Sequence, residues 1–156
     1  MQRIINQPKN NWLIRVGDGD NFRNSKFPFW GVKSKCNKSI IHNKFKKGDI
    51  LWFMTSKKYG GKLIGMAEYT EYYDRDIELL IQIHTYSNKE QNWKGDENWS
   101  IQIHYNNLYD IEKQNIDAIV QCAATILNYE TFKDTGLPDL YTHYNNYIYY
   151  TEPKIF

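Results

Sequence analysis

Residues 48–68 read Gly-Asp-Ile-Leu-Trp-Phe-Met-Thr-Ser-Lys-Lys-Tyr-Gly-Gly-Lys-Leu-Ile-Gly-Met-Ala-Glu, two apolar runs on either side of a Gly-Gly pair. Gly60 and Gly61 supply the backbone freedom of a tight reversal, so the stretch predicts a β-hairpin of residues 50–55 and 63–69. Ile50, Leu51, Trp52, Phe53 and Met54 are continuous rather than alternating. That predicts a central strand covered on both faces, with Trp52 in the core. Gly65 in the return strand predicts a bulge or a close backbone approach.

Upstream, Trp12, Ile14 and Val16 share one face of a first strand that ends at the turn-forming residues 17–21. A long surface loop over residues 22–29, with Pro28 near its end, delivers Trp30, Gly31 and Val32 into a short second strand. Asn37 reads as the N-cap of a short helix with Ile41 and Phe45 on one face and Gly48 just beyond its end. Downstream, residues 77–86 and 99–105 both contain Ile-Gln-Ile-His and are expected to pair across a polar loop. Asn115 reads as the cap of a helix over residues 116–129, because Ile116, Ile119, Val120, Ala123, Ala124 and Leu127 trace one buried stripe. Residues 141–150, rich in Tyr, fit a helix or a closing strand equally. Strands dominate, with helices inserted early and late, which is the order of an α+β protein with a small curved or barrel-like sheet.

The chain has 156 residues, 41% of them apolar, and is expected to form one domain spanning residues 1–156. Cys36 and Cys122 are too few for a disulfide scaffold, and no apolar leader follows Met1, so a reducing, intracellular setting is expected. Apolar runs such as residues 50–54 are far short of a membrane span. The charge is unevenly placed. Residues 21–62 hold eleven Lys and Arg against one acid, Asp49, while the whole chain is only +2. Phe22, Phe27, Phe29, Trp30, Trp52 and Tyr59 are interleaved with those cations. Flat rings with nearby cations suit an unpaired base and its phosphates; a solvated lysine face is the competing reading.

Taken in order, three pieces resemble the PUA-like superfamily, specifically its EVE and YTH branches, over residues 11–108. They are Asn21-Phe-Arg-Asn-Ser-Lys-Phe-Pro-Phe-Trp30, Lys44-Phe-Lys-Lys-Gly-Asp-Ile-Leu-Trp-Phe-Met-Thr-Ser56 and Gly61-Lys-Leu-Ile-Gly-Met-Ala-Glu68. Trp99-Ser-Ile-Gln-Ile, a tryptophan ahead of a strand, also has counterparts there. The resemblance implies a PUA-like curved sheet or barrel flanked by helices, with the helix from Ile116 as an extra C-terminal element. It implies a pocket at one end of the barrel for a single-stranded or flipped-out base in RNA or DNA, with modified bases such as N6-methyladenosine or a modified cytosine favoured. On the YTH pattern, Trp30 is the first cage wall and Trp93 or Trp99 the second. Gly31, Lys33 and Ser34 lie along the rim, and Asn21, Arg23 and Asn24 approach the base edge or a phosphate. The basic segment adds Lys26, Lys35, Lys46 and Lys47 as phosphate contacts. A packed core ring is the alternative for each tryptophan, and Glu68 matches a structural position.

Signatures of catalysis are sparse. Asp18-Gly-Asp-Asn begins like a calcium loop, but the twelfth position is Phe29 where a bidentate Glu is needed. No phosphate-loop or nucleophile-elbow string occurs. His42, His84, His104, His143 and the two cysteines lack metal-ligand spacing. The expectation is therefore a non-catalytic binding module without metal or cofactor. Two alternatives stand beside it. One is a metal-dependent nucleic-acid-processing enzyme using Asp74, Asp76, Glu78 or Glu68; the other is a protein-interaction factor presenting residues 141–150.

Overall fold

The computed structural model describes residues 10–33, 35–75, 86–115, 125–132 and 153–156. The chain runs β1 (Asn11–Arg15), α1 (Asp20–Asn24), β2 (Phe29–Val32), α2 (Lys35–Lys44), β3 (Ile50–Met54), a 3-10 turn (Lys57–Tyr59), β4 (Lys62–Asp74), β5 (Ile101–Asn115), β6 (Ile126–Asn128) and α3 (Tyr129–Phe132). Among the described residues the strands form one mixed sheet in the order β2-β5-β4-β3-β1-β6. It curls into a half-barrel, the α+β architecture expected from the sequence. Register shifts between β4 and β5 at Leu63/Gly65, Met66/Glu68 and Tyr69/Glu71 supply extra twist and help curl the sheet.

β3 is central and covered on both faces. Leu51 and Phe53 join Trp12, Ile14, Phe22, Trp30 and Ile41 in one cluster, whereas Ile50, Trp52 and Met54 join Leu13, Leu63 and Met66 in the other. The hairpin forms as read. Ile50 faces Glu68 and Phe53 faces Gly65 across the β3–β4 pair, and Gly60 and Gly61 carry the positive φ angles of the reversal. Gly65 has no room for a side chain, since a methyl group there would stand 2.8 Å from two carbons of the Phe22 ring.

β1 pairs in parallel with β3, from Asn11 opposite Ile50 to Arg15 opposite Met54. Two buried indoles lock this pair to polar partners. Trp52 Nε1 donates to Asn11 Oδ1 at 2.9 Å, and Trp12 Nε1 donates to Asp49 Oδ2 at 3.0 Å. The same Asp49 oxygen accepts the Lys46 amide at 2.9 Å, closing the turn ahead of β3. The one acid of the basic segment is therefore a buried structural acceptor.

Four local readings are corrected. The loop over residues 22–29 contains a short helix, α1, entered through Gly19 at φ 89° and pinned by buried Phe22; five residues are too few to show a period. Asn37 is not the cap of α2, which starts two residues earlier at Lys35; its amide donates instead to the Lys33 carbonyl at 2.7 Å. Asn115 is the last residue of β5, and the helix expected over residues 116–129 is contradicted at its C-terminal end, where Ile126, Leu127 and Asn128 form β6 against β1. Pairing there satisfies backbone groups of β1 that would otherwise be an open edge. Trp99 lies outside β5, which begins at Ile101 and pairs with β2 and β4. Residues 77–85, 116–124 and 141–150 lie outside the described residues, as do Asp76, Glu78, His84, Cys122 and His143.

Replacing Asp49 with Ala would leave the Trp12 indole and the Lys46 amide without their acceptor, at a cost of about 2–4 kcal/mol. Urea unfolding of Asp49→Ala should show a clearly lower midpoint with an unchanged slope. An unchanged midpoint would remove Asp49 from the structural account.

Candidate functional site

A cavity of about 610 Å3 opens where the C-terminal ends of β1, β2 and β3 meet the starts of β5 and β6. Its ring-bearing walls are Trp30, Trp99 and Tyr59, and its rim carries Arg15, Asp18 and Lys33. Backbone bonds knit this end of the sheet. Val16 N donates to Met54 O at 2.9 Å, Ser56 N to Gly17 O at 2.9 Å, and Arg15 N to Thr125 O at 3.0 Å. Ser56 and Thr125 thereby reach the lining from segments distant in sequence. Trp30 is only 8% exposed, so it offers a limited face to the cavity, whereas Tyr59 is 48% exposed.

The walls are positioned by contacts behind them. Trp30 stands opposite Ile103 in the β2–β5 pair and meets Trp93 edge-on, with centroids 5.2 Å apart. The Trp93 indole donates to Ser25 Oγ at 2.8 Å, and that hydroxyl donates to the Asn21 carbonyl at 2.9 Å. Asn21 Nδ2 donates to Lys94 O at 3.3 Å while its Oδ1 accepts Lys94 N at 2.9 Å. α1 is thus clamped to the segment that carries both Trp93 and Trp99. Trp99 lies directly on Gly31: a methyl group at Gly31 would sit 2.4 Å from Trp99 Cβ and 3.1 Å from the Trp93 ring. Glycine is required here by close approach, not by its φ angle.

The outer side of β2 is held by Gln91, which is fully buried. Its Nε2 donates to the carbonyls of Phe27 and Phe29 at 2.8 and 3.0 Å, and its Oε1 accepts the Phe27 amide at 2.6 Å. Gln91 belongs to a turn closed by a reciprocal pair. Ser87 N donates to Glu90 Oε1 at 2.9 Å and Glu90 N to Ser87 Oγ at 3.1 Å. The Ser87 amide, then its hydroxyl, hold the Glu90 carboxyl below the usual carboxylate range.

The structure brings Trp30, Gly31, Lys33, Asn21 and Trp99 to one cavity. Trp93 is buried behind the wall and is not part of the lining. Asn21 lines the cavity, but its amide is engaged by Lys94. Asn24 and Arg23 are on exposed positions of α1, where Arg23 pairs with Asp20 at 3.6 Å and lines a separate small cavity with Asp110 and Lys154. Lys26 is exposed beside Phe27. Lys35 opens α2, and Lys46 and Lys47 lie at the opposite end of β3, a strand length of roughly 17 Å from the cavity end. Ser34 lies outside the described residues. Arg15, Asp18, Asn37, Ser56 and Thr125 were not picked out from the sequence as site residues, and Tyr59 only as one of the rings interleaved with the cations. The one usable signal was Tyr59, an aromatic in a Lys-Lys-Tyr-Gly-Gly turn.

Three of the eleven cations between residues 21 and 62 meet carboxylates among the described residues: Arg23 with Asp20, Lys33 with Glu97, and Lys38 with Asp74. Asp74 is buried and its bond to Lys38 is 2.7 Å, so it is committed to an ion pair. Among the described residues no three His, Cys, Asp or Glu side chains are grouped to hold a metal ion. No described helix is long and apolar enough to cross a membrane.

No protein-family model matches the chain, and no curated protein sequence matches it. Its fold is similar to that of the YTH domain of the Zygosaccharomyces rouxii MRB1 protein, solved in complex with N6-methyladenosine RNA. The TM-score is 0.53 at 9% identity, over 97% of this chain and 94% of that one. At that identity the likeness is one of fold.

Gly31→Ala separates packing from backbone effects. In an unconstrained strand the change would stabilise slightly; here Trp99 must move, at a net cost of about 1–3 kcal/mol. Denaturant unfolding should show the loss, with tryptophan emission shifted towards longer wavelength. A gain in stability would contradict the contact.

Proposed function

We propose that this protein is a nucleic-acid-binding module that takes one unpaired base of RNA into the cavity between Trp30, Trp99 and Tyr59. The observation that carries this reading is the set of three rings around an open cavity whose lining also holds Arg15 and Lys33. The volume lies within the range of roughly 300–1,000 Å3 typical of small-molecule-sized sites. Stacking on an aromatic side chain contributes about 1–3 kcal/mol per base. A base in single-stranded RNA avoids most of the cost of leaving a duplex, so it is the favoured ligand over paired DNA. The similar fold of a YTH domain seen with N6-methyladenosine RNA supports the same direction.

A methylated base suits such a cavity for a simple reason. Each buried methylene-sized group adds about 0.8 kcal/mol from burial alone, and a methyl lying on a ring face adds contact. Selectivity then rests on Trp30 and Trp99. Affinity rests on the cations: Lys33 and Arg15 at the rim, Lys35 at the start of α2, and Lys46 and Lys47 only for a strand long enough to reach the far end of β3. The module works without catalysis, metal or cofactor.

The test is a fluorescence titration with a pair of short single-stranded RNAs differing in one N6-methyl group, with the DNA counterparts alongside. Trp99→Ala should weaken binding of both by about 5- to 100-fold, and Trp30→Ala should erase any preference for the methylated strand while circular dichroism stays native. Lys46→Ala and Lys47→Ala should weaken both strands equally and flatten the salt dependence once the RNAs are lengthened to reach the far end of β3. Binding indifferent to Trp99→Ala would place the ligand elsewhere.

A further inference from the structure

Glu97 stands two residues ahead of Trp99. The turn that carries it is fixed by Asn88, whose Nδ2 donates to the carbonyls of Glu97 at 2.8 Å and Gly95 at 3.2 Å. The Glu97 carboxylate is ion-paired with Lys33 Nζ. The same ammonium lies over the Trp99 ring, 5.1 Å from its centroid. Lys33 and Trp99 both line the cavity. One cation therefore occupies a ring that a base would stack on, and a carboxylate outside the lining, two residues ahead of that ring, holds it there.

We infer that Glu97 is a built-in stand-in for phosphate: it keeps Lys33 across Trp99 in the free protein and yields it to a backbone phosphate of the entering strand. The inference rests on the cavity being the base site. Loading is then an exchange of one anion for another. Both partners are about half exposed, with side-chain values of 47% for Lys33 and 55% for Glu97, so the pair is weak enough to be broken by a ligand. A phosphate can replace the carboxylate on Lys33, and the neutral edge of a free nucleoside cannot. Glu97 thereby favours a base embedded in a strand over the same base alone, and it opposes ligands that place negative charge at the mouth without engaging Lys33.

Exchange has a distinctive salt signature. When a free lysine neutralises a phosphate of a single strand, counterions are released and log K falls by about 0.7 per decade of salt. When the lysine first leaves a carboxylate, that carboxylate recovers a counterion, and the contribution of Lys33 to the slope cancels. The experiment measures binding of a short single-stranded RNA carrying one N6-methyladenosine at several salt concentrations. The proteins compared are wild type, Glu97→Gln, Asp96→Asn and Lys33→Ala, with Glu97→Gln repeated in the Lys33→Ala background. Glu97→Gln should tighten binding about two- to fivefold and steepen the slope by about 0.7. Asp96→Asn, a neighbouring exposed carboxylate, should leave the slope unchanged, and once Lys33 is removed Glu97→Gln should leave the slope unchanged and give a smaller gain in affinity. An unchanged slope in Glu97→Gln, or the same gain without Lys33, would overturn the exchange. If the RNA binds and depends on Trp99 while Glu97→Gln is inert, the exchange alone falls. If the RNA does not bind wild type, the base-site reading falls with it.

Discussion

The parallel pairing of β1 with β3 is the constraint from which the rest of the molecule follows. Parallel neighbours cannot be joined by a tight turn; the chain must cross from one end of the sheet to the other. Residues 16–49 are that crossover, and they hold α1, β2 and α2. To cross, they must cover a sheet face, and Phe22, Phe29, Trp30, Ile41 and Phe45 accordingly join Trp12, Ile14, Leu51 and Phe53 in one core cluster. Much of the basic segment is therefore the exposed side of a crossover whose inner side is core. The same pairing brings the ends of β1 and β3 together, so Val16 to Ser56 become neighbours through the Val16–Met54 and Ser56–Gly17 backbone bonds. The cavity exists because those ends do not close over it.

Rigidity of the walls comes from polar side chains whose hydrogen bonds lie behind them. Gln91 fixes β2 from its outer side, Asn21 clamps α1 to Lys94, and Ser25 fixes the Trp93 indole. Trp93 in turn backs Trp30 edge-on, and Gly31 admits Trp99 against the strand. Trp93, which does not line the cavity, is thus a support for Trp30, which does. The buried Tyr105 hydroxyl, pushed far above the usual phenol range by burial and then by Asp110, stays protonated within the same core.

What could be read from the sequence was local. The continuous apolar run and the Gly60-Gly61 reversal identified the central hairpin, and Gly65 marked a close approach that proved to be the Phe22 ring. Ile41 and Phe45, four apart, marked the buried side of α2 and of the residue that follows it. Features set by distant pairing were not legible. Leu127 fits a helical stripe as well as a strand, and only the free side of β1 decides between them. Trp93 and Trp99, six residues apart without periodicity, look alike in the chain; Ser25 and Gly31, far away in sequence, give one to the core and the other to the cavity. Arg15, Ser56 and Thr125 reach the lining from three segments that the sheet alone assembles.

The five tryptophans provide the most direct measurement of the central claim, that the rings around the cavity receive a base. Trp12 and Trp52 have their indole N–H groups bonded to Asp49 and Asn11 inside the fold, while Trp30 and Trp99 line the cavity. In a spectrum of isotope-labelled indole N–H groups titrated with single-stranded RNA carrying N6-methyladenosine, the Trp30 and Trp99 signals should move and those of Trp12 and Trp52 should stay. Saturable binding that leaves Trp30 and Trp99 in place would contradict the account.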